Sequence, residues 1–151
     1  MTRVRHVVLL ILDGLRPDAI TPTTMPALDA LRHRGWATVA RTVRPSVTVA
    51  ALGSLATGVA PASHGLDADR KLPSLPTLRS LRPLPAELRR HRLHTTVCTA
   101  ALPAPGLLLA RLLLRLAGVG RLAAGGTSPA EVGARARGQL ARARPALGVV
   151  Y

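Results

Sequence analysis

The sequence has almost no aromatic residues: 151 positions contain no Phe, one Trp and one Tyr. A hydrophobic core must therefore be aliphatic, and Leu, Ala and Val supply most of the 48% hydrophobic fraction. The scarcity also removes the stacking platforms on which proteins bind single-stranded nucleic acid. The single cysteine, Cys98, excludes an internal disulfide and a cysteine-based metal cage. We interpret Cys98 as a small buried residue of a strand.

Acidic residues are also few, with 7 Asp and Glu against 21 Lys and Arg and a net charge of +14. Residues 1–70 carry eight Arg and five acids (net +3), whereas residues 71–151 carry thirteen basic residues and two acids (net +11). Such a balance points to nucleic acid or anionic membranes. The arginines stand singly in Ala- and Leu-rich segments, however. The sequence therefore disfavours nucleic acid as a partner, and an Arg-rich nucleic-acid-binding protein stays only as an alternative.

Long hydrophobic runs are missing as well. The apolar residues 107–117 are interrupted by Arg111 and Arg115 and are shorter than the roughly 20 residues that a membrane span needs. The apolar run Val7–Leu12 follows Arg3 and Arg5 but ends at Asp13 after six residues. That length is typical of a core strand rather than a signal peptide. We therefore expect no membrane span and a cytoplasmic location.

What is present is an alternation of strand and helix patterns. The run Val7–Leu12 predicts a strand that is buried on both faces of a parallel sheet. We predict further strands at 36–42, 94–100 and 147–151, and helices at 25–35, 48–57, 85–91, 106–116 and 129–144. This order predicts a single α/β domain over residues 1–151, three-layer α/β/α with a mainly parallel sheet. The Pro- and Ser-rich residues 66–84 predict a long loop.

Three polar residues stand where chemistry is usually placed. Asp13 follows the first strand, at the end where ligands gather, and is either a metal ligand or an ordinary Asp-Gly turn residue. Thr48 begins a predicted helix, where free N–H groups favour an anion. Its hydroxyl is either a nucleophile for phosphorus or an ordinary N-cap. His64, in Pro-Ala-Ser-His-Gly, is a ligand, a phosphate contact or a structural histidine; the other four histidines are expected at the surface.

Four sequence blocks resemble the alkaline phosphatase superfamily, specifically its type I phosphodiesterase/nucleotide pyrophosphatase branch. The blocks are the first strand with Asp-Gly-Leu-Arg (7–16), Thr-Thr-Met-Pro-Ala-Leu (23–28), Arg-Pro-Ser-Val-Thr (44–48) and the stretch that ends in Ser-His-Gly (54–65). Their order and spacing, with Asp13 and Thr48 separated by 35 positions, are more specific than any single block. The resemblance covers about residues 5–65 and is looser from 85 to 151.

This resemblance implies a metal-dependent phosphate-ester hydrolase. Asp13 would bind one of two divalent metal ions, usually zinc. Thr48 would touch a metal and attack phosphorus to form a covalent phospho-threonine that water then hydrolyses. The substrate would be a small phosphate ester. Many members carry Phe-Pro-Asn after the nucleophile, but this chain has Val49-Ala50-Ala51, which leaves substrates other than nucleotides open.

The remaining ligands of the family lie in later segments, and this chain contains no Asp-His pair. Because the sequence stops in the predicted strand 147–151, we expect an alkaline-phosphatase-like domain that is truncated at its C-terminus. We therefore expect an incomplete metal site and weak or no activity from this chain. The alternative is a non-catalytic fragment or association module. Missing strands would leave an exposed sheet edge, through which self-association is a further expectation.

Overall fold

A four-stranded sheet lies at the centre of the computed structural model, which describes residues 5–66, 77 and 80–151. The strands are β1 (Val7–Leu10), β2 (Thr95–Thr99), β3 (Arg121–Ala124) and β4 (Leu147–Val150). Within the described ranges the α-helices are α1 (Pro26–Arg34), α2 (Thr48–Thr57), α3 (Pro61–His64), α4 (Leu84–Arg90), α5 (Ala104–Leu116) and α6 (Pro129–Ala143).

The sheet is entirely parallel, with the spatial order β1-β4-β2-β3. Parallel neighbours need crossover connections, and helices supply them between β2 and β3 and between β3 and β4. The predicted α/β class with a mainly parallel sheet is confirmed, and the arrangement is consistent with an alkaline-phosphatase-like fold. The extent of the domain over residues 1–151 stays a prediction.

The core lies between α6 and the middle of the sheet, since α6 packs against β2 and β4. Its buried members are Cys98, Ala136 and Val150, and Ala123 and Leu140 pack against them. This core is small and aliphatic, as the absence of Phe requires. Cys98 is a buried strand residue, which confirms its interpretation as a small hydrophobic side chain.

Two helices begin and end where local chemistry predicted. Helix α2 spans Thr48–Thr57 and ends at Gly58, which has a φ of 73°, a left-handed conformation that glycine adopts without a Cβ penalty. Helix α6 follows Ser128, whose Oγ accepts a hydrogen bond from the Glu131 N–H at 3.3 Å. The Glu131 carboxylate in turn accepts the Thr127 N–H at 2.8 Å. Reciprocal caps of this kind satisfy N–H groups that have no partner inside the helix.

The predicted strand at residues 36–42 is wrong, because these residues are irregular and exposed. Trp36 is 87% exposed and Val39 is 77% exposed. A β-branched, apolar stretch forms a strand only when a neighbouring strand pairs with it, and none of the described strands does so here. Its composition alone was therefore misleading.

Two short elements were not predicted. Strand β3 has only four residues, which is too few to show a clear alternating pattern, and residues 117–120 separate it from α5. Helix α3 lies in the stretch before the predicted loop. Most of that loop, at residues 67–76 and 78–79, lies outside the described residues, and its end is set by α4, which begins at Leu84.

Strand β1 does not have the buried environment that its apolar sequence predicted. All four of its side chains are exposed, from 39% at Leu9 to 58% at Val8. The reason is its position at the edge of the sheet, where β4 is its one hydrogen-bonded neighbour among the described strands. Among the described residues, no helix has the length and apolar character needed to cross a bilayer.

Candidate functional site

The candidate site forms at the carboxyl end of β1. The strand pairing continues past Leu10 through a hydrogen bond from the Ile11 N–H to the Val150 carbonyl at 2.9 Å. The chain then turns at Gly14, where φ is 70° and a side chain would be strained. This turn places Asp13 at the rim of the sheet, where parallel α/β folds collect their ligands.

Thr48 comes to the same point from a different element. It is the first residue of α2, and the preceding Val47 has the extended backbone of an N-cap but no capping side chain. The Thr48 hydroxyl donates a hydrogen bond to Asp13 Oδ2 at 2.7 Å. The structure therefore brings the two predicted site residues into direct contact, although 35 positions separate them in sequence.

A third residue, Tyr151, completes the cluster and was missed by sequence reasoning. Its phenolic hydroxyl donates to the same Asp13 Oδ2 at 2.7 Å. The geometry follows from the sheet: Leu10 is in register with Val150, so the residue after β4 lies beside the residues after β1. The signal available in the sequence was a tyrosine directly after an apolar strand, but the adjacency of β1 and β4 could not be read from it.

The hydrogen bonds set the charge of this cluster. The hydroxyl of Thr48, followed by that of Tyr151, lowers the pKa of the Asp13 carboxyl below its ordinary value of 3.8. Both bonds favour the ionised carboxylate, which can only accept. The same contact with Asp13 raises the pKa of Tyr151 above 10.0, because it stabilises the protonated phenol. At neutral pH the site therefore holds one carboxylate and two neutral hydroxyls.

The beginning of α2 adds backbone donors that have no partner among the described residues. The first backbone bond of this helix runs from the Ala51 N–H to the Val47 carbonyl at 3.0 Å. The first turn contains no acidic residue, and no side chain caps it. Amides at such a helix end are free to bind an anion, and the helix dipole favours negative charge there. Thr48 thus carries its hydroxyl at the start of an open helix.

A cavity of about 380 Å³ adjoins the cluster. Asp13 and Tyr151 form its polar side, and the remaining lining is Ile11, Leu12, Gly14, Leu15 and Met25. The space beside the carboxylate is therefore largely apolar, and it lies open at the rim rather than enclosed in the core.

His64 has a structural environment. It is fully buried, and its Nε2 is 3.0 Å from the Ser54 hydroxyl. Its Nδ1 accepts the Leu66 N–H at 3.0 Å, so Nε2 carries the proton and donates to Ser54. Both ring nitrogens are occupied by protein groups, which favours the structural interpretation over a metal ligand or phosphate contact. The other four histidines are exposed, as expected.

The described residues supply two candidate oxygen ligands for a metal, Asp13 and Thr48. Within the described ranges, no group of three His, Cys, Asp or Glu side chains is placed to hold a metal ion. A catalytic zinc usually takes three protein ligands. The residues described here therefore do not fit a complete zinc site.

The structure brings Asp13 and Thr48 into contact, and a family comparison covers both residues. Residues 7–77 match the type I phosphodiesterase / nucleotide pyrophosphatase family. We refer to these residues as the phosphodiesterase-like segment. It contains both Asp13 and Thr48 and forms the N-terminal portion of the chain, whereas Tyr151 lies outside it. The match supports a phosphate-ester hydrolase-like kind of protein. No curated protein and no solved structure matches the chain.

Proposed function

We propose that the chain carries the nucleophile half of a metal-dependent phosphate-ester hydrolase of the phosphodiesterase/nucleotide pyrophosphatase kind, with Thr48 as the nucleophile. The observation that carries the proposal is the 2.7 Å hydrogen bond between the Thr48 hydroxyl and Asp13 Oδ2. The bond orients the hydroxyl at the start of α2, and the open amides of that helix are suited to hold the phosphate oxygens. The family match over both residues supports the same chemistry.

In the proposed reaction, Thr48 Oγ1 forms a bond to phosphorus while the bond from phosphorus to the ester oxygen breaks. The leaving alcohol takes a proton from solvent, and water later cleaves the phospho-threonine to release phosphate or a phosphate monoester. In the first step the hydroxyl proton of Thr48 passes to solvent water, and hydrolysis of the phospho-threonine later restores the hydroxyl. The lowered pKa of Asp13 makes its carboxylate a weak base, so we assign Asp13 to orienting Thr48 and to cation binding.

The charge of the site supports a requirement for a cation. A phosphate at Thr48 would face the Asp13 carboxylate, and two anions in such close contact repel each other even at an exposed position. Divalent ions such as the two zinc ions that the resemblance implies would supply neutralisation there. Because the described residues offer only Asp13 and Thr48 as ligands, we propose that this chain alone binds zinc weakly and has little or no turnover.

Two measurements test this function. The first is hydrolysis of a chromogenic phosphodiester with added zinc, by the wild-type chain and by Thr48→Ala. Thr57→Ala serves as the matched control, because Thr57 lies on the same helix but its hydroxyl donates to the Gly53 carbonyl at 2.7 Å. We expect any measurable activity to vanish in Thr48→Ala and to persist in Thr57→Ala. Measurable wild-type activity that is equally high in Thr48→Ala would remove Thr48 from the mechanism.

The second measurement is calorimetric titration of the 151-residue chain with zinc. We expect weak binding that Asp13→Asn abolishes. Tight binding of two ions would contradict the proposal of an incomplete site and would indicate that the chain contains a full ligand set.

A second candidate function is an association module without catalysis. It is favoured by strand β1, which is exposed, apolar and at the edge of the sheet among the described strands, with backbone groups on one side that no described strand pairs. In this case the phosphodiesterase-like segment would act through a second copy of the chain or another partner. Sedimentation velocity tests this candidate independently of the first, because it measures association of the chain without any substrate.

A further inference from the structure

The exposed face of α5 combines two features that the proposed function does not use. Four leucines of this helix are exposed: 72% at Leu108, 48% at Leu109, 56% at Leu112 and 66% at Leu116. With about 100° of rotation per residue, these four positions fall within a stripe about 100° wide. Leu107, Leu113 and Leu114 lie on the other side and are half-buried. Helix α5 is therefore apolar on the side that faces the solvent.

Arginines line one border of this leucine stripe. Arg111 and Arg115 are exposed and lie on the side of the helix next to Leu108. They join Arg89 of α4 and Arg121 of β3 around a cavity of about 500 Å³. We call these four residues the arginine cluster. The rest of the cavity lining is apolar or glycine, and it includes no acidic side chain.

The arginine cluster has no compensating carboxylate among the described residues. Glu87, the nearest acid in sequence, pairs with Arg90 at 3.2 Å. The only other acid after residue 71, Glu131, caps α6 through Thr127. Four guanidinium groups around one cavity repel each other, and an anion placed among them would relieve that repulsion. The cluster is therefore suited to phosphate-type groups, which guanidinium binds with several donors.

We propose that this face docks on an anionic phospholipid surface, with the leucine stripe in the acyl boundary and the arginine cluster on the lipid phosphates. The thirteen residues of α5 measure about 20 Å, less than the roughly 30 Å of a hydrocarbon core, so the helix would lie in the plane of the interface. Helices with an apolar face beside arginines bind membranes in this way.

Other occupants fit less well. A second copy of the chain would bring arginine cluster against arginine cluster, with a net charge of +14 on each copy. Nucleic acid or free phosphate would satisfy the arginines but would leave the four leucines in water, and α5 has no aromatic side chain for base stacking. An anionic bilayer satisfies both features at once.

The test is co-sedimentation of the 151-residue chain with vesicles of phosphatidylcholine alone or with 30% phosphatidylglycerol. We expect binding to the anionic vesicles only. The variant Arg111→Gln/Arg115→Gln should bind about 30-fold more weakly, given the usual contribution of a basic residue at such a surface. Its matched control is Arg137→Gln/Arg142→Gln on α6, which removes the same charge from exposed positions and should bind nearly as the wild type. Equal losses in the two variants would show diffuse attraction and would overturn the proposal.

A second pair of variants tests the leucine stripe: Leu108→Gln/Leu112→Gln changes the stripe, and Leu31→Gln/Leu55→Gln is its control. Leu31 and Leu55 are also exposed, at 55% and 59%. We expect the first pair to weaken vesicle binding on the order of 100-fold and the control to leave it unchanged. If the first pair binds vesicles like wild type, or if glycerol phosphate or a DNA oligonucleotide binds the chain as tightly as the vesicles do, the site serves a soluble anion and the membrane proposal fails.

A gain of signal provides a check that does not depend on weakened variants. Leu116→Trp in a Trp36→Phe background places a single indole on the leucine stripe. We expect its emission to shift to the blue on anionic vesicles and to be quenched by brominated acyl chains. An unchanged spectrum in the presence of vesicles that the chain does bind would show that α5 stays in water, and would contradict the proposal.

Discussion

Replacing His64 with alanine tests whether this histidine holds the candidate site together or binds a ligand. The side chain is fully buried between α2 and α3 and bonds to the Ser54 hydroxyl and the Leu66 N–H, each at 3.0 Å. It is also packed closely: a Cβ added at Gly53 would lie 2.9 Å from His64 Cε1. We therefore expect His64→Ala to loosen α3 from α2 and to lower the free energy of unfolding.

The size of the loss follows from these contacts. Each hydrogen bond contributes about 0.5–1.5 kcal/mol net, and truncating a buried large side chain to alanine usually costs at least about 2 kcal/mol through lost packing. Ser54 is only half-buried and can turn to water, so its hydroxyl is not left fully unsatisfied. We expect a total loss of about 3–4 kcal/mol, a large part of the stability of a domain of this size.

Urea unfolding followed by far-UV circular dichroism measures this loss. His64→Asn is the matched comparison, because its amide oxygen can still accept the Leu66 N–H, and we expect it to lose about half as much. Ser54→Ala should lose about 1 kcal/mol. If His64→Ala unfolded at the wild-type urea concentration while its affinity for zinc or phosphate fell, the structural interpretation of His64 would be wrong.

Three further predictions concern the cluster of Asp13, Thr48 and Tyr151, the buried hydroxyl of Thr95 and the edge strand β1. The Asp13 carboxyl should titrate below 3.8 by carbon NMR, and its pKa should rise in Thr48→Val; an unchanged pKa would contradict the hydrogen bond. Because folding lowers this pKa, the carboxylate contributes its full stabilisation above the ordinary pKa and loses it as the pH falls through the pKa of the folded state. Thr95→Val should raise the free energy of unfolding by about 1 kcal/mol, since the buried Thr95 hydroxyl has no partner in the described part of the chain; a lower urea midpoint would refute this. Val8→Lys should convert any oligomer seen by sedimentation velocity to monomer, and an unchanged distribution would show that β1 is not the contact.

The parts of the fold that the sequence predicted correctly are those fixed by local chemistry. The apolar spacing and Gly58 were sufficient to predict helix α2, and the Ser128–Glu131 cap was sufficient to predict the start of α6. The parts it missed depend on which strands become neighbours. The apolar run of β1 predicted burial, but burial depends on flanking strands and helices that the described structure does not place there.

The same distinction, between local chemistry and strand pairing, explains which residues of the candidate site could be predicted. Asp13 and Thr48 could be placed together because each stands at the functional end of a local element, a strand and a helix. Tyr151 could not be added, because its position depends on the pairing of β1 with β4. The roles of the predicted site residues stay predictions until hydrolysis and zinc binding are measured.

The contact between Asp13 and Tyr151 also imposes an order of events during synthesis. These residues lie 138 positions apart, and among the described strands the one before Asp13 has β4 as its single hydrogen-bonded neighbour. At the usual rates of translation, about 7–28 s pass between the appearance of the two residues. During that time β1 lacks its partner strand, although β2 and β3 have already been synthesised. A ribosome-bound chain would therefore carry an apolar, unpaired strand, a natural binding target for chaperones until β4 emerges and docks beside it.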